Sequence, residues 1–297
     1  MRIRTAGKVN SNLWYLGRKE SGLYLLEGPR ESMLISAGIS FILGDVLAQM
    51  KTFGIDQKKI KSLLILHSHF DHVGTVPYFK RTYPEIDVYA SPRAWGILAM
   101  PKAIETMNAF SRMVAVQEGL QDVLANYDTE WRDDVTGKNV ADGDVLTVDG
   151  MEVRIMETPG HSSCSIAAYI PSLRTLLPSD GGGIPIDDDI FPSGNSNYTQ
   201  YQQSLEKMKD LEVDYYCADH YGYISGDEAR KYTQQTIAAA GQLRTQIEEI
   251  YKNTGDIESS AKILTEELFR RHPDYFISQE IIAGVFGQMV KHIAKSI

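Results

Sequence analysis

His67-Ser68-His69-Phe70-Asp71-His72 is the stretch on which the reading of this chain turns. It places three imidazoles and a carboxylate within six residues, a set that suits borderline metal ions and makes a poor hydrophobic core. Leu63–Leu66 just before it is a short apolar run of strand character, and from about Val73 to residue 82 the pattern turns helical. In an extended segment residues i and i+2 point the same way, so His67 and His69 can share one ion. Where the chain turns toward the helix, Asp71 and His72 swing to a second position.

The same arrangement recurs further along. His161, in Thr158-Pro159-Gly160-His161, follows the apolar strand 151–156. Asp180, in Pro178-Ser179-Asp180-Gly181, follows a strand at 173–178, and His220, in Asp219-His220-Tyr221-Gly222, follows one at 213–218. Each group lies beyond the carboxyl end of a different strand, the edge at which open α/β sheets place their ligands. Singly these are ordinary loop residues; the shared position marks them as a set. His272, before Pro273, and His292, in the last helical stretch, read as structural.

The rest of the chain supports an α/β fold with sheets covered by helices. Runs 22–27 and 31–36 flank a Gly-Pro and suit a hairpin. Val46, Leu47, Met50 and Phe53 have helical spacing, with Gly54 where a helix would stop. A strand is expected at 86–90, several within 144–170 around Asp-Gly turns at 142–143 and 149–150, and a helix at 199–211. Two regions depart from the alternation. Residues 91–130 are helical in character, and after residue 225 helical periodicity covers 226–253, 257–271 and 278–296. The expected organisation is an α/β metal-site domain over 1–225, with a helical insertion at about 91–130, and a C-terminal helical region over 226–297.

Composition narrows the function. With 43% hydrophobic and 23% charged residues among 297, the chain is neither disordered nor fibrous. Thirty basic against 39 acidic residues give a net charge of −9, which argues against gripping nucleic-acid phosphates and leaves a small-molecule substrate. No apolar run approaches the roughly 18 residues that cross a bilayer, and no apolar core follows the early arginines as a secretory signal requires. Cys164 and Cys217 are too few for a disulfide framework, so a reducing cytoplasm is the expected location, away from membranes.

H-x-H-x-D-H followed by Gly-His, Ser-Asp and a late His resembles the ligand pattern of the metallo-β-lactamase fold superfamily, in order and spacing over residues 10–225. The resemblance implies an αββα sandwich with a two-metal site at one edge. It implies that His67, His69 and His161 hold the first divalent ion, that Asp71, His72 and His220 hold the second, and that Asp180 bridges them. Zinc is the expected metal, although iron and manganese accept the same donors. Antibiotic-hydrolysing members lack the bridging aspartate, flavodiiron reductases carry glutamate in place of His69, and RNA-processing members are basic with a large inserted domain. Glyoxalase-type and acyl-CoA thioesterases, lactonases, phosphodiesterases and persulfide dioxygenases remain. The architecture is most similar to glyoxalase II and to 2-aminobenzoylacetyl-CoA thioesterase-type members.

The implied chemistry is hydrolysis by a water held between two ions and acidified to hydroxide near neutral pH, with Asp71 as proton acceptor. A thioester or related ester with an apolar acyl part is the expected substrate. A lactonase or phosphodiesterase, an iron-dependent persulfide dioxygenase, and a regulatory binding protein that retains the site are the other readings. Met107 and Phe110, with Met100 and Met113, are expected to wall the pocket from the insertion, and Tyr221 and Tyr223 to orient a substrate oxygen beside His220. The C-terminal helices would form a second wall or a homodimer surface. Asp187-Asp188-Asp189 reads as a solvated loop, and Arg270 and Arg271 as a solvated helix end.

Overall fold

Period-two alternation sorts the strand side chains into two faces, and in the central strands of this chain both faces carry apolar side chains. In Gly22–Glu27, Leu23 and Leu25 look one way while Tyr24 and Leu26 look the other. Leu63 and Ile65 part in the same manner from Leu64 and Leu66, as do Ala167 and Tyr169 from Ile166, Ala168 and Ile170. A sheet apolar on both faces must be covered twice, and here it is covered by helices outside and a second sheet inside.

The computed structural model describes residues 1–296, which form two seven-stranded sheets. The first runs, neighbour to neighbour, Gly7–Lys8, Leu13–Gly17, Gly22–Glu27, Ser32–Ile35, Ile60–Leu64, Asp87–Ala90 and Lys138–Asn139. The second runs Arg2–Ile3, Tyr223–Ser225, Tyr215–Cys217, Thr175–Leu177, Ile166–Ile170, Met151–Glu157 and Val145–Val148. A core including Tyr15, Tyr24, Ile35, Ile155, Ile170 and Cys217 lies between them. Helices Leu43–Phe53, Val76–Thr82, Pro92–Leu98, Pro101–Gln117 and Gln121–Asn126 cover the outer face of the first sheet. Tyr198–Met208, Asp227–Thr254, Ile257–Arg271 and Gln279–Ile293 cover that of the second. The order of layers is αββα, with a C-terminal helical extension.

The expected elements differ from these mainly at their ends. Gly54 stops its helix in the left-handed conformation, at φ 71°. The second Asp-Gly pair makes a two-residue hairpin between Val148 and Met151, with Asp149 and Gly150 both at positive φ. The helix after the histidine motif starts at Val76, because residues 70–75 are spent on turns. Strand Leu13–Gly17 was not expected, and neither was the pairing of Arg2–Ile3 with Tyr223–Ser225, two short segments with no alternating run to mark them. Asp187 and Asp189 are also less free than a solvated loop: both carboxylates lie on the buried His272 ring, at 3.1 and 3.0 Å, and Arg271 pairs with Asp189. Ile297, the last residue of the expected C-terminal region, lies outside the described residues.

Gly74 is the tightest point behind the histidine motif. A Cβ there would lie 2.1 Å from the Ser40 backbone nitrogen and 2.6 Å from the Ile39 carbonyl carbon, groups that cannot swing aside. Gly284, on the exposed side of the last helix, has nothing within 4 Å of such a Cβ. Gly74→Ala is therefore expected to cost at least about 1–3 kcal/mol through overpacking, and Gly284→Ala to add about 0.5–1 kcal/mol through helix propensity. Urea unfolding of both variants checks the opposite signs.

Candidate metal centre

Each donor is delivered by a strand end and held by a turn. After Ile60–Leu64 the chain passes through Leu66 to His67, and its next turn is pinned to the loop that follows Ser32–Ile35. Ala37 N donates to the His72 carbonyl at 3.0 Å, Gly74 N to the Gly38 carbonyl at 2.7 Å, and Thr75 N to the Ala37 carbonyl at 3.1 Å. His161 follows Met151–Glu157 through Gly160 (φ 136°), where a Cβ would meet the Tyr201 backbone nitrogen at 2.2 Å. Asp180 sits in a short 3-10 turn after Thr175–Leu177, and His220 follows Tyr215–Cys217.

All seven expected ligands come together. His67, His69 and His161 form one group whose donor atoms lie within 4.8 Å of one another, and Asp71, His72 and His220 form another. The His69 Nδ1 lies 3.2 Å from His67 Nε2 and 3.0 Å from His161 Nε2. In the second group, His72 Nε2 and His220 Nε2 are 3.1 Å apart, and Asp71 Oδ2 is 3.6 and 3.5 Å from them. Asp180 spans the two: its Oδ2 is 3.4 Å from His161 Nε2 and 3.2 Å from His72 Nε2, and its Oδ1 is 3.5 Å from His220 Nε2.

Partners behind the rings set their orientation. The Nδ1 of His161 donates to the Ser193 carbonyl at 2.7 Å, and that of His220 to the Glu20 carbonyl at 2.6 Å. A carbonyl only accepts, so the hydrogen resides on Nδ1 and the Nε2 lone pair faces the centre. Burial, reinforced by the neighbouring imidazoles, drives His67 well below its ordinary pKa; burial also pushes His69 down to about 3 and lowers His161. Burial opposes ionisation of Asp180 too, yet His72, His220 and His161 together hold its carboxyl well below the usual range. Against burial, Asp180 and Asp71 hold His72 and His220 above the ordinary histidine value. Neutral His67, His69 and His161 beside an ionised Asp180, with His72 and His220 drawn toward the same carboxylate, are a donor set that a divalent cation fits, taking the place of the protons that the two raised histidines carry.

The expected pocket residues divide. The Phe110 ring stands edge-on to Phe70, inside the histidine motif, with centroids 5.6 Å apart. Met107 is 9% exposed and belongs to the core under the insertion, while Met100 and Met113 are 49% and 40% exposed. The expected wall of three methionines is corrected accordingly. At about 100° per residue a six-residue step leaves Met113 about 120° from Met107, and Met100 precedes the helix as its cap. Tyr223 is also corrected: its ring lies in the inter-sheet core and its hydroxyl donates to the Lys8 carbonyl. Tyr221 is buried against Tyr275 and Phe276.

The C-terminal helices were expected as a second wall, but sequence reading missed the residue that covers the site. Phe276, in the loop between the last two helices, lies over His220 with ring centroids 4.9 Å apart, and the Gln117 amide from the insertion donates to its carbonyl at 3.5 Å. Insertion and C-terminal helices therefore meet above the centre. It also missed Asp219, whose carboxylate accepts from His72 Nδ1 at 2.8 Å. That residue stands beside His220 in the sequence, but nothing in the spacing ties it to His72.

A two-sheet αββα sandwich with this His/Asp centre at its edge defines a class of metal-site proteins, and comparison with known sequences gives its family. The metallo-beta-lactamase superfamily profile matches residues 23–220, and the chain belongs to that superfamily. A hydroxyacylglutathione hydrolase from Prochlorococcus marinus (strain MIT 9312) is 26% identical over 54% of this chain and 52% of its own length. An atrochrysone carboxyl ACP thioesterase from Aspergillus fumigatus is 24% identical over 63% of this chain and 46% of its own length. The chain thus spans about half the length of the curated relatives it matches. A metallo-beta-lactamase family protein from Thermus thermophilus shares the fold, with TM-score 0.69 and 18% identity over 97% of this chain and 95% of that one. Among the described residues no helix is long and apolar enough to cross a membrane.

If Asp180 joins the two groups, Asp180→Ala is expected to retain at most one zinc ion per chain after dialysis against zinc-containing buffer, where the parent retains two. Far-UV circular dichroism should be unchanged, because the apolar cores lie elsewhere. Metal analysis showing two ions in the variant would refute the bridge.

Proposed function

We propose that the chain is a two-metal hydrolase that cleaves a thioester or related ester with an apolar acyl part. The observation that carries this is the pair of donor groups spanned by Asp180 beneath an aromatic cover of Phe70, Phe110 and Phe276. Bound divalent ions would supply Lewis acidity and a water acidified toward neutral pH. His67, His69 and His161 would hold one ion, Asp71, His72 and His220 the other, with Asp180 between them. Asp71, 7% exposed and beside His72 and His220, is the carboxylate in place to take a proton as the attacking water loses it. Phe70 and Phe110 exclude water on the insertion side and offer an apolar surface to an acyl group. A thiolate leaving group needs little protonation, so the site requires no separate strong acid.

The names of two relatives, a hydroxyacylglutathione hydrolase and an ACP thioesterase, support the thioester. A small-molecule substrate and a cytoplasmic location, in keeping with two free, buried cysteines, complete the proposal.

Phe110→Ala and Met107→Ala test the acyl wall in opposite ways. Phe110→Ala should raise KM for long apolar acyl thioesters severalfold or more while leaving acetyl thioesters nearly unchanged. Met107→Ala should lower stability by about 2–5 kcal/mol and affect every acyl length alike. Kinetics on a short-to-long acyl-CoA series, with thermal melts, separate the two outcomes. Equal loss across the series for Phe110→Ala would remove the apolar acyl assignment. One iron per chain with oxygen uptake on glutathione persulfide would replace the hydrolase by a dioxygenase.

A further inference from the structure

We propose that Asp219, itself no ligand, is the positioning carboxylate of the metal centre, fixing the tautomer of one histidine in each metal group through a single oxygen. The inference rests on reading the site as a two-metal centre. Asp219 is 1% exposed, and its Oδ2 collects three donors: His72 Nδ1 at 2.8 Å, Ser36 Oγ at 3.0 Å and the Ser179 hydroxyl. The other oxygen, Oδ1, is buried without a partner, so the carboxylate is held wholly by this one convergence.

Hydrogen accounting extends its reach to the first group. A serine hydroxyl has one hydrogen, and Ser179 gives it to Asp219. The only role left to Ser179 Oγ is acceptor, and His67 Nδ1 lies 3.1 Å from it. His67 must therefore carry its hydrogen on Nδ1, which leaves the Nε2 lone pair to the group it shares with His69 and His161. His72, whose Nδ1 hydrogen goes to Asp219 directly, likewise presents Nε2 to the second group. His161 and His220 are set by backbone carbonyls; His67 and His72 depend on this side-chain relay. Their rings are 4.0 Å apart, so a wrong tautomer in one disturbs both groups.

Backbone geometry fits the same assignment. Ser36 and Ser179 both occupy the left-handed region, at φ 63° and 51°, where non-glycine residues are strained. Both aim their hydroxyls at Asp219.

The test is zinc binding to the full chain, measured against a competing chelator, together with the downfield imidazole N–H resonances of the zinc-loaded protein. Asp219→Ala is expected to weaken both zinc equivalents by about 10–100-fold and to abolish the slowly exchanging N–H signals of His67 and His72. Asp219→Asn keeps an acceptor oxygen in place and should restore most of the affinity. Ser179→Ala should remove the His67 signal, keep that of His72, and weaken zinc binding. If Asp219→Ala does not fold, Ser179→Ala and Asp219→Asn still decide. Unchanged zinc affinity and both signals retained in Ser179→Ala would overturn the relay, and so would an Asp219→Asn variant as weak as Asp219→Ala. A parent that binds fewer than two zinc ions would sink the two-metal reading and this inference with it.

Discussion

A carboxylate taken out of water must find positive charge or hydrogen-bond donors close by, and Asp180 finds three imidazoles within 3.5 Å. That attraction is the contact on which the site depends. It outweighs the burial that would otherwise protonate the carboxyl, and it draws the histidines of two separate groups onto one residue. Without a cation this arrangement has nitrogen atoms facing each other at about hydrogen-bond distance with too few hydrogens between them. The protein holds these rings where mutual repulsion would part them, which is the property expected of a site preorganised for metal.

The two sheets share the work. His67, His69, Asp71 and His72 follow a strand of the first sheet, whereas His161, Asp180 and His220 follow strands of the second. Neither metal group is complete on one sheet. The edge is clamped by other means as well: Gly22 N donates to the Asp219 carbonyl at 2.9 Å, and the Tyr24 hydroxyl donates to the Ala218 carbonyl at 2.6 Å, with that of Gly222 at 3.0 Å. Ions bound across this edge would add to that clamp, so their binding energy would appear as stability of the sandwich.

How much the sequence disclosed follows from the kind of signal each feature carries. The histidine motif, the strand ends before His161, Asp180 and His220, and the helices at 43–53 and 257–271 were legible because they are local. Donor type and hydrophobic period are written in consecutive residues. The methionine positions, Tyr223, and the clasp of His272 on Asp187 and Asp189 were not, since they depend on which side of a helix or strand meets another element. Phe276 over His220 joins residues 56 apart in the chain, and Asp219 on His72 joins residues 147 apart. Neither pairing leaves a periodic mark in the sequence.

Backbone strain gives the last connection between fold and chemistry. Among the described residues, six non-glycine residues have φ in the left-handed region, and three of them, Ser36, Ser179 and Tyr221, surround the centre. Each is a neighbour of a functional contact: Ser36 donates to Asp219, Ser179 precedes Asp180, and Tyr221 follows His220. Such conformations cost about 1–3 kcal/mol apiece and persist only where surrounding structure over-determines them. Glycine would relieve that cost at Ser36 and Ser179 but would remove the hydroxyls that reach Asp219. At Tyr221 it would remove the ring that packs on Tyr275 and Phe276 over the site. The chain thus keeps side chains at strained positions where those side chains orient or cover the donors, and places glycine at Gly160, where the backbone of Tyr201 leaves no room for any.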